Sequence, residues 1–173
     1  STDLASRRGD ARALAKVRDR AALTALVSGL DDKDASVREE VIRALGDAGR
    51  RLIAQGQKDV LGEVKGWLGK IVSGPGQREQ ALARTTLLKL GDESQRSEVI
   101  GVLKSGDSDA RRQVIESMDK DAATLSAALE DTEEQNRFLA ARRLAELNDK
   151  RAVPVLQKML ADKPDSPEGI LAY

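Results

Sequence analysis

Residues 14–32 read LAKVRDRAALTALVSGLDD, and residues 144–162 read LAELNDKRAVPVLQKMLAD. The two stretches align without a gap, and seven of their nineteen positions are identical. Self-similarity between distant parts of one chain is the sequence signature of a repeat protein. We therefore expect an array of small, similar units instead of a single closed core.

A second pattern occurs three times and carries an arginine in the same place each time. It aligns three segments without gaps: Val37–Leu45, Ala110–Met118 and Asn136–Leu144. The arginines that fall in register are Arg38, Arg111 and Arg137. Apolar residues follow them at the spacing of one helix face, so this segment is predicted to be a helix of the repeat.

Each unit reads as two amphipathic helices, which we name the first helix and the second helix. Their apolar residues recur every three or four positions and lie on one side. Short polar turns supply N-caps, and Gly46, Gly49 and Gly91 are predicted at or near the ends of second helices. The predicted array is a lone second helix at 3–17, four hairpins, and a lone first helix at 150–161. The hairpins are 20–30 with 35–48, 50–72 with 77–91, 94–104 with 108–119, and 121–130 with 133–147.

The composition favours an all-helical protein. Of 173 residues, only Trp67, Phe138 and Tyr173 are aromatic, whereas sheets are usually rich in aromatic side chains. The 29 basic and 29 acidic residues cancel, so the predicted surface is densely charged without an overall sign. No apolar run approaches the ~20 residues of a membrane span. The absence of a secretion signal makes the cytoplasm the expected compartment.

The turn and second helix of these units resemble HEAT repeats, especially the short bacterial HEAT-like kind found in phycobilin lyases. Two turn aspartates precede the arginine of the second helix by six residues: Asp32 before Arg38, and Asp131 before Arg137. Ser105 takes the place of the acid before Arg111, and Pro154 matches the proline that kinks first helices in this family. The resemblance implies a structural ladder of hydrogen bonds between repeats, made by Asp32, Arg38, Arg111, Asp131 and Arg137.

The same resemblance implies a right-handed α-solenoid of HEAT-like helical hairpins with about ten helices. It covers roughly residues 12–162, and the hairpin at 50–91 departs from it because no aspartate stands six residues before an arginine there. We expect one repeat domain over 1–163 and a tail over 164–173. Prolines prevent that tail from continuing the last helix, and its apolar end is expected either to cover the flank of that helix or to lead into further sequence.

The sequence offers little catalytic chemistry. Without Cys or His, it lacks thiolate nucleophiles, imidazole bases and the usual zinc ligands. Two enzyme families share this repeat architecture, the phycobilin lyases and the HEAT-like DNA alkylation-repair glycosylases. However, Trp67 lies on an apolar stripe and is predicted to belong to the core instead of stacking on a ligand. We expect no enzyme activity, no metal and no cofactor.

Repeat arrays bind other proteins on surfaces opposite their apolar stripes. Second helices line the inner curve of HEAT-type arrays, and their register predicts a partner-binding face made by Glu39, Arg43, Arg84, Arg112, Glu116, Phe138 and Arg142. Phe138 stands where sister repeats carry charges, so it is interpreted either as a partner anchor or as a residue packed against a neighbouring helix. The leading prediction is a non-enzymatic scaffold or adaptor that binds a protein through this charged face.

Two alternatives remain open at this stage. Basic residues cluster near the N-terminus, where the only opposing acids nearby in sequence are Asp10 and Asp19. The predicted site for a nucleic acid or another polyanion there consists of Arg7, Arg8, Arg12 and Lys16, extended by Arg18 and Arg20. The other alternative is a non-catalytic binding subunit of an enzyme complex.

Overall fold

The computed structural model describes residues 3–17, 19–118 and 120–162, which form ten α-helices and contain no β-strand. The helices are α1 (Leu4–Lys16), α2 (Arg20–Val27), α3 (Ala35–Ala54), α4 (Val60–Val72), α5 (Gln77–Lys89), α6 (Arg96–Ser105), α7 (Ser108–Ser117), α8 (Ala122–Ala127), α9 (Glu134–Glu146) and α10 (Ala152–Asp162). Short 3-10 turns follow α2 and α8 and precede α6. Arg18 and the predicted tail over 164–173 lie outside the described residues.

Aspartate side chains set where many of these helices begin. An aspartate just before α1, α2, α3, α7 and α8 accepts a hydrogen bond from a backbone N–H of the first turn. At α7, for example, Asp107 Oδ1 accepts from the Ala110 N–H at 2.7 Å. Such a cap satisfies a donor that has no partner inside the helix, and losing one costs about 1 kcal/mol. The polar turns between the apolar stripes therefore define the hairpins.

The helices group into two compact units. The first runs to Arg96 and contains α1 to α5, and the second begins at Ser97, in the first turn of α6. The sequence predicted one continuous domain over 1–163, so this division is a feature that the repeat pattern did not show.

In the first unit, α3 is the central helix. It contacts α1, α2, α4 and α5, and its side chains Ile42 and Leu45 are completely buried. Gly46 allows α3 to approach α5 closely, because a Cβ atom there would lie 2.8 Å from Cγ2 of Thr86. Trp67 of α4 is half-buried against the same core. The apolar stripes of five helices thus enclose one core.

In the second unit, α9 has the central position. It contacts α7, α8 and α10. The side chains that meet around it come from the predicted stripes and include Ile115, Leu125 and Leu144, which are 1%, 1% and 0% exposed. This packing places the polar sides of α7 and α9 at the surface of the unit.

Helix α3 is longer than predicted, and the first helix of the next hairpin is shorter. The pattern predicted a helix over 50–72, but α3 continues to Ala54 because its buried side extends to Leu52. The chain leaves α3 at Gly56, whose φ of +93° is a conformation that favours glycine, and α4 begins at Val60. Although α3 is the longest described helix, no helix in the described part of the chain is long and apolar enough to cross a membrane.

Candidate protein-interaction surface

The fourth residue of the second helices binds the turn that precedes the helix. In α3, α7 and α9 this residue is an arginine whose Nη1 donates to a backbone carbonyl five or six residues earlier. The pairs are Arg38 with Asp32 O at 2.8 Å, Arg111 with Gly106 O at 2.8 Å, and Arg137 with Asp131 O at 2.6 Å. In α5 the fourth residue is Gln80, and its side-chain amide donates to Gly74 O. The irregular hairpin thus keeps the turn contact with an amide in place of a guanidinium.

In the first unit, arginines at this position also bind an acid of the next hairpin. Arg7, the fourth residue of α1, donates from Nε to Asp32 Oδ2 at 2.8 Å and from Nη2 to Oδ1 at 3.3 Å. Arg38 donates to both carboxylate oxygens of Glu79 in α5, at 3.0 and 2.5 Å. The backbone N–H of Asp34 and the side chain of Arg7 hold the pKa of Asp32 below its ordinary value of 3.8. The Asp32 carboxylate therefore joins α1 to the next hairpin. Arg38 donates instead to the backbone carbonyl of Asp32.

In the second unit, Arg111 and Asp131 form the equivalent contact between α7 and the turn before α9. Arg111 donates from Nε and Nη2 to the two carboxylate oxygens at 2.8 and 3.1 Å. The Asp131 side chain is 0% exposed and also accepts from the Glu133 N–H and from Asn136 Nδ2. Burial raises its pKa, but the hydrogen bonds from Arg111 and Glu133 outweigh it and leave the pKa below 3.8. This acid is therefore held as an anion inside the fold.

A second row of contacts is centred on two acids of α3, Glu39 and Glu40, which directly follow Arg38. Glu40 of α3 accepts from Arg12 Nε at 2.8 Å and from Arg12 Nη2 at 3.0 Å, and Arg8 Nη2 lies 3.9 Å from the same carboxylate. The hydrogen bonds from Arg12 hold the pKa of Glu40 below its ordinary value, although burial opposes this. Glu40 thus connects α3 to α1.

Glu39 makes the corresponding contact on the other side of α3. It accepts from Arg78 Nε of α5 at 2.9 Å and from Arg43 Nη2 of α3 at 3.2 Å. An acid of α3 is again shared by two arginines, one of them on a neighbouring second helix. The exposed side of α1, α3 and α5 is therefore crossed by a continuous set of ion pairs.

The arginines of this row are more exposed than the acids that they share. The side chains of Glu39 and Glu40 are 15% and 13% exposed, whereas the four arginines are between 36% and 57% exposed. These arginines are Arg8, Arg12, Arg43 and Arg78. Four cations and two anions leave a local charge of +2 on a chain whose net charge is zero. The outermost groups of the face are guanidinium groups.

The predicted partner-binding residues of the second unit lie on the second helices α7 and α9. Arg112 donates from Nε to Glu116 Oε1 at 3.0 Å and from Nη1 to Gln135 Oε1 at 3.4 Å, which connects α7 to α9. Arg142 lies 3.9 Å from Glu146 one turn later on α9. Arg112 and Arg142 are 45% and 42% exposed, and their acids Glu116 and Glu146 are 36% and 53% exposed, so the face of this unit presents both charges.

Two other predicted partner residues are placed differently. Phe138 is only 9% exposed on α9, whose neighbours are α7, α8 and α10. Its interpretation as an exposed partner anchor is wrong, because the ring is enclosed by the packing of the unit. Arg84 of α5 is half-buried and donates from Nη1 to Gln95 Oε1 at 3.2 Å.

The predicted polyanion site on α1 contains acids from α3 and from the turn before it. Its cations are Arg7, Arg8, Arg12 and Lys16. The expectation that only neighbours in sequence oppose them is wrong, since Asp32 binds Arg7, and Glu40 of α3 lies between Arg8 and Arg12. Lys16 is exposed in the last turn of α1. Most of this cluster is therefore part of the second-helix face.

The acids of the described residues do not cluster into a metal site. No three of them stand close enough together to hold a metal ion. Where the pKa of an Asp or Glu departs clearly from its ordinary value in this part of the chain, hydrogen bonds from side chains or backbone N–H groups lower it, as those from Arg151 do at Asp149, with a pKa of about 2. A general acid that works near neutral pH needs the opposite shift.

The comparisons with known proteins identify the repeats at both ends of the chain. The family model of the PBS lyase HEAT-like repeat matches residues 7–32 and 137–162, which begin at Arg7 and Arg137 and span α1–α2 and α9–α10. No curated protein matches the chain. The predictions of a HEAT-like repeat family and of an all-α fold are confirmed, and helical hairpins of this kind fit an α-solenoid.

Proposed function

We propose that this protein is a non-enzymatic scaffold or adaptor that binds a partner protein through the exposed side of its second helices. The HEAT-like repeats at both ends support this, since such repeats generally mediate protein interactions by presenting extended surfaces. The observation that carries the proposal is the row of ion pairs on these helices. In the first unit, recessed acids hold exposed arginines in place, and in the second unit exposed Arg112 pairs with Glu116.

This arrangement suits recognition because the arginines are ordered before a partner arrives. A guanidinium carries five N–H donors, and Arg12 donates two of them to Glu40. Arg112 likewise donates one N–H to Glu116 and one to Gln135. These arginine side chains lose their conformational entropy on folding and not on binding, so binding costs less. Their remaining N–H donors are available to a partner's carboxylates and carbonyls. Arginine is also among the residues that dominate binding energies at protein interfaces.

The mixed composition of the face favours a protein over a nucleic acid. Each exposed cluster contains a carboxylate, which repels the closely spaced phosphates of a nucleic acid but is compatible with alternating charges on a protein. Arginines hold Glu40 and Asp131 as anions, with pKa values below their ordinary ones, which suits a role in pairing with cations. Such a module also suits the binding subunit of an enzyme complex.

The test is affinity capture of partners from the native cell extract with the wild-type chain and two matched variants. One variant reverses charge on the second-helix face of each unit, Arg43→Glu with Arg112→Glu. The other makes the same change in net charge beside first helices, Lys58→Glu with Lys104→Glu, where both lysines are exposed. Circular dichroism should show that both variants are folded.

We expect the face variant to lose most of the captured protein, as measured by quantitative mass spectrometry, and the first-helix variant to retain it. If the folded face variant retains its partners at the wild-type level, the second helices are not the binding surface. If both variants lose the partners equally, the interaction responds only to overall charge, and the proposed face is equally wrong.

Polyanion binding is the second candidate, favoured by the exposure of Arg8, Arg12, Arg43 and Arg78 above their acids. Four phosphate contacts give an affinity that falls with nearly the fourth power of salt, so a change from 50 to 200 mM should weaken binding about a hundredfold. A protein complex on this mixed face should weaken much less. Titration of the captured partner at the two salt concentrations decides between these candidates.

A further inference from the structure

The ion pairs on the exposed side of the first unit alternate in sign across three helices. Helix α3 packs against both α1 and α5. Arg12 of α1 binds Glu40, and Arg78 of α5 binds Glu39. Arg43 of α3 donates to Glu39 and lies near enough to Glu40 to lower its pKa. From α1 to α5 the order of the charges is therefore Arg12, Glu40, Arg43, Glu39 and Arg78, which we name the arginine row.

The two signs of the arginine row lie at different depths. Its arginines, from α1 to α5, are 57%, 40% and 36% exposed, whereas Glu40 and Glu39 are 13% and 15% exposed. A partner that approaches this side of the unit therefore meets guanidinium groups first, with carboxylates recessed between them. The unit as a whole has the same sign, since residues 1–96 contain 18 basic and 14 acidic side chains. Both charges favour a partner segment that carries acids.

The spacing of the three arginines determines which acids can pair with all of them. Packed helices lie about 8–10 Å apart, so α1, α3 and α5 present cations at about this interval. On a partner helix, residues seven apart lie on the same side and are separated by about 10.5 Å. On one side of an extended segment, side chains are about 6.6 or 13 Å apart, and neither value matches. The interval therefore selects a helix with acids two turns apart.

The recessed acids restrict what the partner helix carries between its own acids. A side chain one turn from an acid of that helix lies over Glu39 or Glu40, where like charges repel. Both acids carry this charge at neutral pH, because they pair with arginines. A continuous acidic tract, or a nucleic acid strand with a phosphate at every ~3.4 Å of rise, places anions over these carboxylates as well as over the arginines.

We propose that the arginine row binds a helix of the partner protein that carries Asp or Glu at every second turn, with neutral or basic residues at the turns between. Arg12, Arg43 and Arg78 each bind one of these acids. A guanidinium that donates one or two of its five N–H groups to Glu39 or Glu40 has enough others to bind a second carboxylate. The inference rests on the proposed function, because it names the kind of segment that the second-helix face of the first unit recognises.

The test compares two helical peptides of identical composition on the full-length, ¹⁵N-labelled protein. Both are capped alanine–glutamine peptides of 21 residues with three glutamates, and circular dichroism should show equal helicity. The spaced peptide carries its glutamates at positions 4, 11 and 18, and the clustered peptide carries them at positions 8, 11 and 15. Backbone amide shifts of α3 at low salt give the dissociation constants. The Nε–Hε resonances of Arg12 and Arg78, assigned by their loss in Arg12→Gln and Arg78→Gln, report contact with the peptide.

We expect the spaced peptide to shift both arginine resonances and to bind about three- to fivefold more tightly than the clustered peptide. This ratio corresponds to one additional exposed ion pair. The Nε–Hε resonance of Arg20, on α2, should not move. Arg12→Gln with Arg78→Gln should abolish the preference for the spaced peptide. Lys58→Gln with Lys70→Gln, which removes two exposed lysines before and on α4, makes the same change in charge and should retain the preference.

Equal affinity for the two peptides, including no detectable binding of either, would overturn the inference, and so would tighter binding of the clustered peptide. A DNA tetranucleotide has the same charge of −3 as the peptides. If it binds the wild-type protein more tightly than the spaced peptide does, the row is a polyanion surface and the inference is wrong.

Failure of this inference can be distinguished from failure of the proposed function. If Arg43→Glu with Arg112→Glu loses the captured partner but the wild-type protein does not distinguish the two peptides, the face binds proteins by other contacts and only this inference fails. If that folded variant retains its partner, the proposed function is wrong and the inference fails with it, whatever the peptides show.

Discussion

Removing the carboxylate of Asp131 should destabilise the second unit by about 3 kcal/mol, a value that lies at the lower end for a broken buried ion pair. The side chain is fully buried and accepts four hydrogen bonds: two from Arg111, one from the Glu133 N–H and one from Asn136 Nδ2. In Asp131→Ala, Arg111 remains largely buried at 13% exposure without its counter-ion. The expected cost lies at the lower end of that range because Arg111 in the variant keeps its hydrogen bonds to Gly106 O and Thr132 Oγ1.

The assay is urea denaturation at pH 7, followed by circular dichroism at 222 nm. With a denaturant slope of about 1.5 kcal/mol/M for a unit of this size, 3 kcal/mol moves the midpoint of its transition by about 2 M. Glu146→Ala is the matched control, because it removes an acid that is 53% exposed and pairs with arginines on the same helix. That change should cost under about 0.5 kcal/mol. A cost below about 1 kcal/mol for Asp131→Ala would refute the view that these contacts hold neighbouring hairpins together.

Three further outcomes follow from the same contacts. The pKa values of Asp32 and Asp131 lie below 3.8 in the folded chain, so the stability that they contribute is complete above about pH 5 and is lost as pH falls through those lowered values. Urea midpoints should be level from pH 7 to 5 and fall below about pH 4, and a level midpoint down to pH 2.5 would contradict this. Gly46→Ala should lower the urea midpoint by the equivalent of about 1–3 kcal/mol, because the new methyl group would lie 2.8 Å from Cγ2 of Thr86. Gly66→Ala lies on α4, where the new Cβ would meet no side chain and no other helix within 4 Å, so it should instead raise stability by up to about 1 kcal/mol. If Gly66→Ala lowers the urea midpoint more than Gly46→Ala does, the close approach of α3 to α5 does not limit the side chain at position 46.

The sequence was sufficient for the hairpins because their signals are local. Apolar spacing marks the buried side of each helix, and turn aspartates mark where second helices begin. The position of Arg38, Arg111 and Arg137 could also be predicted, since the arginine binds the carbonyl of its own turn five or six residues earlier. Gln80 follows the same rule, because it donates to the carbonyl of Gly74, six residues earlier. Its spacing from the turn therefore indicates the contact, although its residue type does not.

Which acid pairs with which arginine could not be predicted where the two are distant in sequence. Glu79 lies 41 residues after Arg38, and Glu40 lies 28 after Arg12. Which acid meets which arginine depends on how helices pack side by side, and the period of a single helix contains no such information. For the same reason α1 looked like an isolated basic helix.

Phe138 and the end of α3 were misjudged for a related reason. Alignment with the sister repeats placed Phe138 at a charged, solvent-facing position, but burial depends on the neighbours of α9 and not on that alignment alone. The glycines Gly46 and Gly49 looked like helix ends, yet Gly46 lies where α3 passes close to α5 and Gly49 is buried on the same helix. A glycine signals a close approach as readily as a turn, and only tertiary packing distinguishes the two.

The most direct measurement is the protection of arginines from phenylglyoxal, read by mass spectrometry with and without the captured partner. If the second helices form the binding face, Arg43 and Arg112, which are 40% and 45% exposed in the free chain, should be protected in the complex. Arg20 and Arg151, which lie at the start of first helices and are 41% and 51% exposed, should react as they do in the free chain. Protection of Arg20 and Arg151, with Arg43 and Arg112 still reactive, would contradict the account.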